Sequence, residues 1–219
     1  MTLTEPIELL VDNEMYNFFD AGIRGGLTFV NKHYVCSSES TELLYIDINN
    51  LYGWALSQSL PYKNFQWVLQ DSLLTQILNQ CRDEDIDNLD YGYTMEVDIV
   101  VPDEIHDKLD DFPVAAEQKF PPGAKVKKLL LTHEPKYHYV IHWRLLKLFL
   151  TLGVVVPKVH RAIRFQQGSI FKSYIDGNTQ LRAQSTNTFD KNYYKLNNNS
   201  LYGKTVEKIK KRMNLRLCN

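Results

Sequence analysis

Lys191, Lys195, Asn199 and Tyr202 stand at i, i+4, i+8 and i+11, so a helix through them carries all four on one face. That face presents two ammonium groups, an amide and a phenol. Such residues make a poor core stripe and a good grip for a polyphosphate, with a ring left to stack on or shape a sugar and a base. Far upstream, Asp47 closes the apolar run Leu43-Leu44-Tyr45-Ile46, which predicts a carboxylate held at the end of a strand. Phosphoryl transfer by two divalent cations about 4 Å apart asks for a carboxylate fixed in that way, with the next backbone carbonyl completing a ligand shell.

The two stretches carry a resemblance. Lys195 followed by Asn199-Ser200-x-Tyr202-Gly203 is similar to motif B of family B DNA polymerases, in the form of the protein-primed branch. Asp47-x-x-Asn50-Leu51-Tyr52 resembles motif A of the same family, which reads Asp-x-x-Ser-Leu-Tyr-Pro. Asn50 replaces the serine and Gly53 the proline. Arg24-Gly25-Gly26 occupies the place of the glycine pair that joins exonuclease and polymerase parts and touches the template strand; Ile23 stands where the family has an aromatic.

The resemblance implies roles. Asp47 is the bridging metal ligand, Ile48 lends its carbonyl, and Tyr52 lies under the incoming sugar as a gate against a 2′-hydroxyl. Arg182, Lys191 and Lys195 hold the triphosphate, Asn199 and Tyr202 shape the nascent pair, and Gly203, Lys204 and Lys208 join the glycine pair along the DNA. The implied cofactors are two Mg2+ or Mn2+ ions. The implied partners are primer-template DNA and deoxynucleoside triphosphates; a terminal protein primer is left open.

Charge is segregated along the 219 residues. Residues 1–113 hold 5 Lys and Arg against 21 Asp and Glu, and residues 114–219 hold 20 against 5. Asymmetry of this size points to a polyanionic partner for the second half, or to the halves pairing with each other in the fold. The 3 cysteines are odd in number and far apart, which argues against a disulfide framework and a zinc site. Nothing in the sequence reads as a membrane span, and residues 1–5 lack the basic and apolar regions of a secretory signal. The compartment is unknown.

The elements that must position these residues follow from local pattern. Residues 5–22 read as a helix ending at Gly22, and Gly25-Gly26 leads into a strand. Leu60-Pro61 reads as a break after a short helix. An amphipathic segment from Leu69 runs into an acidic loop, Asp83-Glu84-Asp85-Ile86-Asp87. Residues 94–101 alternate as a half-buried strand, residues 129–132 form a second, and residues 137–141 lead into a buried helix over 142–152. His138 and His142, with no glutamate between them, are expected to be ordinary packing or surface histidines. A basic strand spans 154–165. Ser169 then caps a helix through Arg182, and a polar tip at 184–188 precedes the motif B helix.

The expected fold is α/β (α+β), a polymerase palm with a mixed, mostly antiparallel sheet and a two-helix fingers projection. The expected division is 1–28 as the end of a preceding domain with the Gly-Gly linker, 29–167 as palm with an insertion at about 69–128, 168–204 as fingers, and 205–219 returning to the palm. The family's second catalytic aspartate lies in an Asp-x-Asp after motif B. No such triplet follows Tyr202, and both triplets present lie in the acidic loop. The expectation is therefore a fragment of a DNA-directed DNA polymerase, inactive alone. The alternative is a non-catalytic nucleic-acid-binding remnant or domesticated module.

Overall fold

The computed structural model describes residues 5–82, 89–207, 212, 213 and 215. It divides into two compact units. One comprises Met1–Pro6, Leu44–Leu60 and Gly168–Asn219, and the other Ile7–Leu43 and Pro61–Gln167. The expected mixed α/β architecture is observed, and the strand pairings with a defined register are antiparallel.

The larger unit is built on a four-stranded sheet in the order β1-β6-β2-β5. These strands span Leu60–Val68 (β1), Tyr91–Val100 (β2), Lys136–His142 (β5) and Val155–Gly168 (β6). A two-stranded ribbon joins Glu117–Lys119 (β3) to Lys128–Leu130 (β4). Helices α1 (Asn13–Gly22), α3 (Asp71–Gln80), α4 (His106–Leu109) and α5 (Trp143–Thr151) complete it.

β2 organises the core through the alternation of its residues 95–100. Met95, Val97 and Ile99 are fully buried on one face, packed with Trp143, Leu146, Phe165 and Leu74. Glu96 and Asp98 point to the other face, where the neighbouring strands supply cations. Glu96 binds Arg161 and, at 2.9 Å, the Nδ1 of His138, while Asp98 meets the Nε2 of His160 at 2.8 Å. Arg161 also pairs with Glu14 on α1. Part of the charge segregation is thus consumed inside the fold. His138 sits at a bulge with φ 52°, donates its N–H to Asp98 at 3.0 Å, and stacks on His160 at 4.0 Å between centroids. His138 is exposed, as a surface histidine would be.

Some local expectations are corrected; the strand expected after Gly25-Gly26, for one, does not form over residues 27–30. Residues 43–48 form no strand, and every side chain there is exposed. A strand needs a neighbour to take its backbone bonds, and no described residue pairs with this segment. The break expected at Leu60-Pro61 does follow a short helix, Leu51–Leu56, and Pro61 lies in β1, where an edge position tolerates the missing N–H. Helix 5–22 begins only at Asn13, because Asp12 Oδ1 accepts from the N–H of Glu14 at 2.7 Å and caps it there. The acidic loop at 83–88 lies outside the described residues.

The smaller unit holds α2 (Leu51–Leu56), α6 (Lys172–Gln184) and α7 (Thr188–Thr205). Its core is modest: Leu56, Ile170, Phe171 and Ile175 are its buried apolar side chains among the described residues. Ser169 does not cap α6. The helix starts two residues later, after Phe171, because Ile170 and Phe171 turn inward.

Candidate nucleotide-binding site

α7 forms as its spacing predicts. Asn187 caps it, its Oδ1 accepting from the N–H of Asp190 at 2.8 Å and its Nδ2 donating to the Asp190 carboxylate at 2.6 Å. The first turn thus carries Asp190, which suits the positive end of the helix dipole. Lys191, Lys195, Asn199 and Tyr202 follow along one face, with both ammonium groups exposed. Arg182 is exposed in the last turn of α6, at the same tip of the helical hairpin.

The two motif regions meet through their tyrosines. α2 packs against both α6 and α7. Within that contact the Tyr52 and Tyr202 rings stack at 4.2 Å between centroids and 16° between planes. Both rings remain partly open to solvent, so the pair offers an aromatic surface beside a cationic helix face.

Asn50, at the start of α2, takes a left-handed conformation with φ 55° and ψ 39°. Its side chain crowds Gly53: a Cβ on Gly53 would lie 2.4 Å from Asn50 Nδ2 and 2.6 Å from its Oδ1. The asparagine and glycine that depart from Ser-Leu-Tyr-Pro therefore fit each other. Asparagine accepts the left-handed backbone, and glycine leaves room for the amide.

Other predicted site residues are placed apart from this group or differently engaged. Asp47 and Ile48 are exposed in the irregular segment before α2. Arg24, in the larger unit, is turned onto the protein. Its Nη1 donates to the Val140 carbonyl at 2.7 Å and its guanidinium lies 3.7 Å from the centroid of the Tyr139 ring. Burial lowers its pKa, with Tyr139 and Glu117 opposing. Gly25 and Gly26 are exposed, and Gly26 has φ 79°. Gly203 is exposed with open space where a Cβ would lie. Lys204 pairs with Glu207, and Lys208 lies outside the described residues.

The two-magnesium centre implied by the resemblance finds no complete ligand set among the described residues. Among the described residues no group of three or more His, Cys, Asp or Glu is placed to hold a metal ion. Asp47 alone cannot clamp two divalent cations.

The match to known families decides the assignment. The model of DNA polymerase type B, organellar and viral, matches residues 4–214. The chain belongs to that family. No curated protein matches it. Among solved structures it is similar to Phi29 DNA polymerase complexed with primer-template DNA and incoming nucleotide substrates, with TM-score 0.54 and 17% identity over 91% of this chain. The orthorhombic crystal form of Phi29 DNA polymerase gives TM-score 0.56 and 18% identity over 92% of this chain. The complex of the Phi29 enzyme with primer-template DNA alone gives 0.53 and 18% over 91%. The family B chain spans about a third of the Phi29 polymerase chains, 31% to 33% of their length. The likeness shows a shared fold.

Sequence reasoning missed two relationships in this site. In the sequence Asn50 and Gly53 read as two separate departures from the family pattern, whereas in the structure they fit each other. Asn178 on α6 carries no signal in the sequence, yet it is buried against Asn198 of α7.

Proposed function

We propose that this chain is the part of a DNA-directed DNA polymerase that receives the incoming deoxynucleoside triphosphate. The observation that supports this best is the stack of Tyr52 on Tyr202 beside a helix face of Lys191, Lys195 and Asn199. Arg182, Lys191 and Lys195 neutralise the triphosphate, whose charge is spread over its oxygens. The Tyr52 ring lies under the deoxyribose and leaves no room for a 2′-hydroxyl, while Tyr202 buttresses it from behind. Asn199 borders the nascent base pair. Primer-template DNA is the polyanionic partner of the basic C-terminal half, with Gly203, Lys204 and Lys208 along its path. Asp47 contributes one carboxylate, and no transfer step is assigned to these residues, since the second carboxylate is not among them.

The test is titration of a fluorescent deoxyadenosine triphosphate with magnesium. Lys191→Ala and Lys195→Ala should each weaken binding about tenfold, the loss of one charge-assisted contact. Unchanged affinity in both variants would reject the triphosphate site. The chain should not extend a primer; robust extension that survives Asp47→Asn would remove the role of Asp47.

The basic C-terminal half, with 20 Lys and Arg against 5 Asp and Glu, favours one other reading, a non-catalytic nucleic-acid-binding module. Salt-sensitive DNA binding that ignores deoxynucleotide and magnesium would select it.

A further inference from the structure

The helical hairpin of α6 and α7 is held by an amide pair where a core residue would be expected. Asn178 Nδ2 donates to Asn198 Oδ1 at 3.0 Å, and the two residues are 7% and 3% exposed. Asn198 is the single buried residue of α7, and α6 buries only Ile175 besides Asn178. Apolar contacts between the two helices are therefore few. They are also tolerant of sliding, because aliphatic side chains repack after a shift along the helix at little cost. A buried amide is not tolerant. Moved by one turn, each amide would lose its partner inside the protein and keep its desolvation.

From this we infer that Asn178 and Asn198 are positioning residues that fix the register of α6 against α7. The spacing links that register to the triphosphate cations. Arg182 lies four residues after Asn178, one turn toward the hairpin tip, and Lys195 lies three residues before Asn198, one turn toward the same tip. A locked amide pair thus sets Arg182 opposite Lys195 across the hairpin. A slip of one turn in either helix would separate the two cations by about 5 Å along the axis. Of the three consecutive asparagines at 197–199, it is the middle one that carries this role. The consequence for the nucleotide rests on the function proposed above; the register does not.

The experiment compares single and paired replacements. Asn178→Leu and Asn198→Leu alone each strand one buried amide and should lower the unfolding midpoint. The double variant removes both amides and should regain most of that loss. Spin labels on Gln180→Cys and Asn192→Cys, both exposed positions, in a background with Cys36 and Cys218 replaced by serine, report the helix register as a distance distribution. The native pair should give one narrow distance, and the stable double variant a broad or shifted one. Its affinity for the fluorescent deoxyadenosine triphosphate with magnesium should fall about tenfold.

A narrow, unshifted distance in the double variant would overturn the inference. A broadened distance in a protein whose native form binds no nucleotide would uphold the register and reject the proposed function. Full recovery of affinity alongside a broadened distance would reject the link between register and site.

Discussion

Tyr52 and Tyr202 lie 150 positions apart in the sequence and stack ring on ring at 4.2 Å, the one direct contact between the two motif regions that carries an aromatic pair. The pair joins α2 to α7 and places a flat apolar surface at the foot of the cationic helix face. An offset aromatic stack contributes about 1 kcal/mol beyond the area it buries. Tyr202→Ala should therefore lower stability by roughly 1 to 2 kcal/mol. If Tyr52 gates the sugar, Tyr52→Val should bring ribonucleotide affinity to within about threefold of deoxyribonucleotide affinity. Competition of ATP against the fluorescent deoxynucleotide measures that ratio.

Asn50 and Gly53 should behave as a coupled pair. Gly53→Ala makes the end of the Asn50 side chain swing aside, a cost that alanine's better helix propensity partly offsets, so the net change should stay within about 1 kcal/mol. Asn50→Gly keeps the left-handed backbone and clears the space, so Gly53→Ala on that background should be the more favourable change. A double-mutant cycle by urea unfolding gives the coupling; additive effects would mean that the two departures from the family pattern are independent.

Gly92 in β2 has no space for a side chain. A Cβ there would lie 2.5 Å from Gln167 Oε1 and 2.7 Å from both Phe165 and the Trp143 indole nitrogen. Those groups are already committed: Trp143 Nε1 donates to Gln167 Oε1 at 3.3 Å, and Gln167 Nε2 donates to the Leu89 carbonyl at 3.0 Å. Gly92→Ala should cost on the order of 3 kcal/mol, read as a lower denaturation midpoint at an unchanged slope.

Acid should weaken the larger unit through His142. Burial pushes this imidazole from its ordinary 6.5 down to about 4, with the Arg144 guanidinium adding to the effect. Its Nδ1 accepts from the N–H of Arg144 at 3.3 Å and caps α5, which requires the neutral ring. Between pH 6.5 and 4 the unfolded chain therefore binds a proton that the folded chain refuses. The stabilisation is complete above pH 6.5 and is lost as pH falls toward 4, by up to roughly 3 kcal/mol. Asp98, whose carboxyl is held below its usual 3.8 by His160 and His138 against the opposing effect of burial, adds its own loss only at lower pH. His142→Gln should flatten the slope between pH 4 and 6.5; an unchanged slope would assign the acid sensitivity elsewhere.

The sequence by itself determined those features that depend on near neighbours. The period-two alternation of residues 94–101 gives β2 its two faces, and the spacing of Lys191, Lys195, Asn199 and Tyr202 gives α7 its cationic face, because local geometry alone fixes where successive side chains point. Motif spacing was enough to indicate the family. The structure decided whatever needed a distant partner. The apolar run at 43–48 has the composition of a strand but finds no strand to bond among the described residues. Part of the charge asymmetry proved to be internal, since Glu96 and Asp98 meet Arg161 and His160 only when β2 and β6 pair. Which of three asparagines turns inward depends on Asn178, twenty positions away on another helix. Pairings of this kind depend on chain closure and on burial, and both are properties of the whole fold.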